Sequence, residues 1–365
     1  MFVLSATIIS LLTYTPVREI GYHTQLEKEQ GCRQDQLVVT SGLTQVNLAS
    51  IPSQTLPTYK PLLLAASWQG KFSVDTISGG HSRTVYSVAF SPQGNTVASS
   101  SGDRTIKIWN LSQKDLLHTF RGHTNWVSSV AFSPNGQIIA SGSGDKTIKL
   151  WNLRNEKLIR TQMGHKDWVS SVAFSPNGKI IASGSGDRTL KLWNVRNGRL
   201  IRTLFDGGAV SAIAFSPDGE TVASGSFLST VKIWSRQNGE LLQTFSGHRR
   251  PVYAIAFSPN GKILASASNN GQIILWNVST GQLLHTLESH KKAVTSLTFS
   301  RDGKTLASAS EDKTIKLWNP DTGKLLRTLE DHSATVTSVA FSPNGQIFAS
   351  GSKDRTVKIW RLASL

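Results

Sequence analysis

The sequence predicts an all-β fold, a closed β-propeller of seven four-stranded antiparallel blades preceded by an unassigned N-terminal leader. Three observations carry this reading. Tryptophan recurs at Trp109, Trp151, Trp193, Trp234, Trp276, Trp318 and Trp360, at a constant spacing broken only between Trp193 and Trp234, which stand one position closer. A histidine precedes six of them at one fixed separation, at His81, His123, His165, His248, His290 and His332. Seven such periods account for residues 71–365, so a chain of 365 residues holds one repeated domain rather than two or three.

In chain order the first element is residues 1–70. Positions 2–14 are an apolar run shorter than the ~20 residues a membrane helix needs. No Lys or Arg precedes the run and no small-residue cleavage site follows it, so it matches a signal peptide poorly. Pro52, Pro57 and Pro61 then break a mixed polar stretch. A poorly ordered leader is the expectation, with an uncleaved anchor or export signal, or a small accessory element, as alternatives. A cytoplasmic location is expected, with membrane association or export through residues 1–20 as the alternative. The leader is electrically balanced, with Arg18, Lys28, Arg33 and Lys60 against Glu19, Glu27, Glu29 and Asp35. Residues 71–365 therefore carry the whole net charge of +16. A composition 38% apolar and 17% charged supports a packed core and excludes a largely disordered chain. The single cysteine, Cys32, excludes a disulfide framework and a cysteine-based zinc site.

The repeat unit can be read from residues 122–163. SVAFS and TIKLW alternate apolar and polar residues, and IIASGS is short and rich in β-formers, so each suits a strand. Between the first two lies Ser-Pro134-Asn-Gly136, where proline presets φ and glycine accepts a positive one. Gly144-Asp145-Lys146 makes a second tight turn, and KLIRTQ supplies a fourth strand. Four antiparallel strands in about 42 residues cannot bury both sheet faces alone; radial stacking against neighbouring units solves this.

Gly-His at the start of the unit, Asp in its second hairpin turn and Trp-Asn at its end resemble the WD repeat, with Asn where that family most often has Asp. The resemblance covers the chain from residue 80 to its end in seven copies and is similar to bacterial WD40 proteins with nearly identical repeats. It implies a noncatalytic scaffold that grips protein partners on the rim of the central channel. Ring closure follows from the chain ends. Only Arg-Leu-Ala-Ser-Leu follows Trp360, while Trp68 precedes His81 by one position less than the usual gap from a repeat's Trp to the next His. Residues 71–78 are thus expected to supply the fourth strand of the last blade, since an open ring would expose a long sheet edge.

Each ordinary unit holds a His, an Asp, a Ser and a Trp that on paper resemble a nucleophilic triad. The plainer reading is a structural network, pairing His81 with Asp103, His123 with Asp145, His165 with Asp187, His290 with Asp312 and His332 with Asp354. It appears in five blades of seven, whereas catalysis would need one copy. Unit four departs, with Asp206 or Gly207 at the histidine position and Leu228 at the Asp position, as though both partners were lost together. Unit five keeps His248 and offers Asn270 as the acceptor. No phosphate-loop, HExxH, GxSxG or kinase signature is present. The sequence therefore points to no catalytic residue, cofactor, metal or small-molecule substrate.

Units differ mainly in the loops beside the histidine and the turn Asp. Candidate partner-binding residues there are Tyr86, Trp126, Trp168, Phe227, Arg249, Arg250, Tyr253, Lys291, Lys292 and Lys353, because aromatics and arginine anchor interfaces. The competing reading is that these loops vary because nothing constrains them. Lys107, Lys149, Lys191, Lys232, Lys316 and Lys358 on the third strands spread charge evenly and are expected to be solvated. Protein partners of unknown identity and a monomeric propeller are expected, with nonspecific nucleic-acid binding at low salt. The alternative class is an anion-binding module for phosphorylated peptide or nucleic acid using Arg249, Arg250, Lys291 and Lys292. Blade four suggests an apolar patch of Phe227, Leu228 and Trp168; the alternative is that Phe227 and Leu228 face inward.

Overall fold

Turn chemistry and strand alternation produce four short strands per period. In blade two they are Val127–Phe132, Ile138–Ser143, Ile148–Asn152 and Leu158–Gln162. The structure, a computed structural model, describes residues 72–77, 80–288 and 290–362. These form seven four-stranded antiparallel sheets. Residues 1–70, with the expected leader, lie outside the described residues. No helix among the described residues is long and apolar enough to cross a membrane.

Six blades are continuous in sequence; the seventh combines both ends of the repeat array. Its sheet runs in the order Phe72–Ile77, Val357–Leu362, Ile347–Ser352, Val336–Phe341. Val74 lies opposite Trp360 and Ile77 opposite Val357.

The first strand of each blade is innermost, and all six of its residues are buried in blades two to six. Its serines therefore do not face water. Ser128 donates to Val169 O of the next blade, and Ser129 accepts from Val172 N at 3.1 Å. The same stitch joins the last blade to the first: Thr337 donates to Val85 O at 2.6 Å, and Ser338 accepts from Val88 N at 3.1 Å. Such pairing is what makes buried hydroxyls tolerable.

The apolar core sits between blades. Val169, Val172, Ile181 and Leu192 of blade three pack with Val210, Ile213 and Val222 of blade four. Each fully buried aliphatic side chain contributes roughly 1.5–3 kcal/mol, so the radial stack holds most of the stability.

The third-strand lysines differ from expectation. Lys107, Lys191, Lys316 and Lys358 are buried, and Lys149 and Lys232 half-buried. Each third strand lies inside the fourth, and four of the six ammoniums find a partner there, the other two in the loop that enters the first strand. Lys107 donates to Thr119 at 3.0 Å, Lys149 to Thr161 at 2.8 Å, Lys191 to Thr203 at 2.9 Å and Lys316 to Thr328 at 2.8 Å. Lys232 reaches Asp206 O, and Lys358 reaches Asp331 O at 2.8 Å. These charges are engaged within the blades.

A second set of contacts fastens each outer strand to the next blade. Arg160 donates to Arg196 O at 3.2 Å, Arg202 to Gln237 O at 2.9 Å and His285 to Asp321 O at 2.9 Å. His118 meets Glu156 at 3.0 Å, and Arg327 lies 5.3 Å from the Phe72 ring centroid. At the closing junction Asp75 takes this position and pairs with Lys114 at 2.7 Å and Arg361 at 3.3 Å.

Candidate partner-binding face

One face of the ring carries the loops that enter each first strand and the turns between second and third strands. Its local order starts from the polar network. In blade two, Trp151 Nε1 donates to Ser141 Oγ at 2.9 Å. An indole N–H only donates, so the serine hydroxyl must pass its proton on, to His123 Nε2 at 2.8 Å. His123 therefore carries its proton on Nδ1 and donates it to Asp145 Oδ2 at 2.7 Å. Asp145 also accepts from Thr124 N, Thr147 N and Thr147 Oγ1 at 3.0, 3.0 and 2.6 Å. Burial works against ionisation of Asp145, but the His123 and Thr147 hydrogen bonds outweigh it and hold the carboxyl well below the usual carboxylate range. Burial lowers His123 in turn, only partly opposed by Asp145. The imidazole is neutral and the carboxylate charged.

The same contacts recur at His81–Asp103, His165–Asp187, His290–Asp312 and His332–Asp354, at 2.7–2.9 Å. Blade four corrects the expectation that its network is lost. Asp206 takes the histidine's place and accepts from Ser224 at 2.6 Å, while Trp234 still donates to Ser224 at 2.9 Å. Ser224 thus keeps an acceptor, so the buried chain survives one link shorter. Blade five also differs. His248 Nε2 lies 2.7 Å from Ser266, but Nδ1 has no hydrogen-bond partner among the described residues, because Asn270 turns back to accept from Ser268. Gln272 occupies the position where blade two has Thr147. Burial pushes His248 down to about 4, with Gln272 acting in the opposite direction.

The turn itself has a backbone feature that its composition does not specify. Its left-handed residue is not Gly144 but Lys146, at φ 71°. Arg104, Arg188, Lys313 and Arg355 occupy the same position at φ 71°, 69°, 75° and 72°. Gly144 is required for another reason: a Cβ there would lie 2.5 Å from the Trp126 indole. Trp168 covers Gly186 in the same way. In blade four the sizes are exchanged, with Ala209 in the loop and Phe227 in the turn, joined by Phe227 N to Ala209 O at 3.0 Å.

The predicted surface residues fall into three groups. Arg249, Arg250, Lys291, Lys292 and Lys353 are exposed. Tyr86, Trp126, Trp168 and Phe227 are half-buried. Tyr253 is buried at 3% exposure, accepts from Asn269 Nδ2 at 2.8 Å, and so lies beneath the surface rather than on it. Burial pushes its hydroxyl up to about 12, with Glu311 adding to the effect. Trp168, Phe227 and Tyr253 form an aromatic row across blades three to five, with ring centroids 6.5 and 5.9 Å apart. Phe227 also packs on the blade-five core, whereas Leu228 is 56% exposed. The two blade-four residues of the suspected patch thus point differently.

Two residues went unnoticed in the sequence. Met163 and Phe205 are 77% and 75% exposed, at the position where other blades carry Arg121, Ser246 and Glu330. Aligning the units position by position would have found them. Between blades six and seven a 520 Å³ pocket is lined by Lys291, Asp312, Lys313, Thr314, Lys316, Glu330, Asp331 and His332, mixed in charge. Among the described residues no group of three or more His, Cys, Asp or Glu could hold a metal ion; Cys32 lies outside them.

The fold and its repeated Trp–Ser–His–Asp chain define a repeat propeller. The family described as "WD domain, G-beta repeat" matches residues 72–110, 114–152 and 156–194, and the "WDR3 first beta-propeller domain" matches residues 193–362. The chain belongs to the WD40-repeat β-propeller family. A stretch of 49 residues is 49% identical to coatomer subunit beta'-3 of Arabidopsis thaliana, covering 13% of this chain and 5% of that protein. Propellers of this family are generally noncatalytic scaffolds, and the fold suggests protein partners.

Proposed function

We propose that this chain is a noncatalytic scaffold that engages protein partners through the loop face. The observation carrying this reading is the division of labour on that face: the repeated polar chain is sealed, while the cationic residues that vary between blades stand in water. Ser99, Ser141, Ser183, Ser308 and Ser350 are wholly buried, and each hydroxyl is committed to both a tryptophan and a histidine. A nucleophile needs a path by which substrate can approach it, and these wholly buried serines have none. Around them Arg249, Arg250, Lys291, Lys292 and Lys353 project into solvent.

Affinity capture from native lysate tests the reading, using Lys291→Glu/Lys292→Glu against a control pair on the opposite face, Lys179→Glu/Lys262→Glu. Loss of captured proteins with the first pair alone supports it. Equal losses with both pairs, or loss with the control alone, sink it. The basic rim also favours a second reading, an anion-binding module for phosphorylated peptide or nucleic acid. Capture that collapses with added salt and is competed by free polyanion selects that one.

A further inference from the structure

The exposed apolar groups at the loop-face ends of the outer strands and in the turns are Met163 of blade two, Phe205 of blade three and Leu228 of blade four, and the last two belong to neighbouring blades joined by one loop. Phe205 ends the outer strand of blade three, and Leu228 stands in the turn of blade four. Phe205 leads through Asp206 into Gly207 and Gly208, and Leu228 lies over these two glycines, where a Cβ on Gly208 would come within 2.6 Å of Leu228 Cγ. Beside Leu228, Phe227 stacks toward Trp168. The patch therefore runs from Phe205 across the two glycines to Leu228, with Phe227 and Trp168 as its half-buried floor. Blade four, which swapped loop and turn sizes and replaced His–Asp with Asp206, is where this surface was made. Apolar groups held in water are a cost that folding does not require, since blades one, four and six place Arg121, Ser246 and Glu330 at the Phe205 position and only blade two, with Met163, shares its apolar character.

The electrostatic surroundings point one way. Arg188 is exposed next to Phe205, its backbone carbonyl accepting from Asp206 N at 3.1 Å. Lys166 is exposed beside Trp168, and Arg249 and Arg250 are exposed in the loop entering blade five. The acidic groups in this arc are already committed. Asp167 caps Trp168 N at 2.8 Å, Asp187 is paired with His165, and Asp206 is buried against Ser224. An apolar strip bordered by exposed cations complements a strip bordered by carboxylates.

We propose that blades three and four bind a short acidic segment of another protein, with bulky apolar side chains seated on Phe205 and Leu228. Its carboxylates meet Arg188, Lys166 and the Arg249–Arg250 pair. This inference rests on the loop face being the binding face, and it names the occupant of that face.

Panning a random short-peptide display library on the full chain tests it. Enriched peptides should combine Leu, Phe or Trp with Asp and Glu. Made synthetically, they should bind about tenfold more weakly to Phe205→Ser/Leu228→Ser, and weaken likewise to Arg188→Glu, a loss large enough to read by titration. Both variants change exposed side chains, so their melting temperatures should stay near that of the parent. Leu116→Ser/Leu117→Ser, which alters exposed leucines on an outer strand, should bind as the parent does. Panning that enriches nothing over blank support, enriches neutral or basic peptides, or yields peptides that bind the Phe205/Leu228 variant undiminished overturns the proposal. If binding instead follows Lys291→Glu/Lys292→Glu, the loop-face reading survives and this inference falls. If no loop-face variant weakens it, both fall.

Discussion

Within a single blade, the side chain that collects most hydrogen bonds is the turn aspartate. Asp145 accepts from His123, from Thr124 N and from both the amide and the hydroxyl of Thr147. Asp145→Ala strands these donors in a half-buried site and should cost ~1–3 kcal/mol of unfolding free energy, read by denaturant titration. A change within error would mean that water replaces the carboxylate. Histidine sets the acid response. His248 is pushed down to about 4 in the fold, whereas an unfolded histidine protonates near 6.5. Between those values the unfolded chain binds the extra proton, so stability falls as pH falls from 6.5 to about 4. The network aspartates act lower: their folded carboxyls lie below the usual range, so their contribution is present above about pH 4 and lost beneath it. His248→Gln should flatten the melting-temperature profile between pH 6.5 and 4. An unchanged slope would show that the acid loss there comes from other groups.

At the level of turns, left-handed positions repeat around the ring; glycine fills the one between first and second strands in every blade, and two others are filled differently. On the loop face the residue is Arg104, Lys146, Arg188, Ser229, Lys313 or Arg355, and only blade five uses glycine, Gly271, which relieves the backbone. Between third and fourth strands it is Gly198, Gly239, Gly281 or Gly323, but Lys114 and Glu156 in the first two blades. Those two side chains form ion pairs to the preceding blade, with Asp75 and His118. The Arg355 side chain is exposed, and its turn is held instead by its backbone amide donating to Ser352 O at 3.2 Å. Arg355→Gly should therefore stabilise the protein by ~1 kcal/mol through relief of the left-handed strain. A loss of stability by thermal or chemical melting would mean that the arginine makes a contact worth more than that strain. Sequence reasoning located the loop-face turn at Gly144-Asp145-Lys146 without assigning its left-handed residue. Which residue turns left-handed depends on Asp145 bonding Thr147 and on Trp126 filling the space above the glycine.

Across the whole molecule, closure is the decisive event. Removing residues 1–80 deletes the strand Phe72–Ile77 and with it the Asp75 pairs to Lys114 and Arg361 and the edge contact of Phe72 with Phe348. The strand Val357–Leu362 then becomes an open edge, a site for aggregation as well as for fraying. Deletion of 1–80 should lower the melting temperature far below that of a 1–60 deletion, which should keep the folded ring. Equal melting temperatures for the two would refute closure by this strand. Near-identical blades could in principle pair out of order, and the Asp75–Lys114 pair belongs to the closing junction alone, which gives the ring one electrostatic mark of its correct register.

Period, strand number, tight turns and the joining of the chain ends were all legible in the residues, because each depends on local spacing repeated seven times. The network was legible for the same reason, since histidine and aspartate keep one fixed separation in five units. Radial stacking decided the rest. It placed the third strand inside the fourth and so buried the lysines that look solvated in the sequence. It covered both faces of the first strand and turned its serines into stitches between blades. It brought Asp206 to Ser224 where the sequence shows only a missing histidine, and left Asn270 out of reach of His248. It also drove Tyr253 under the surface while leaving Phe205 and Leu228 in water. A side chain's exposure depends on what the neighbouring blade puts against it, and that neighbour is a whole repeat away in the chain, beyond the range over which spacing and propensity carry information.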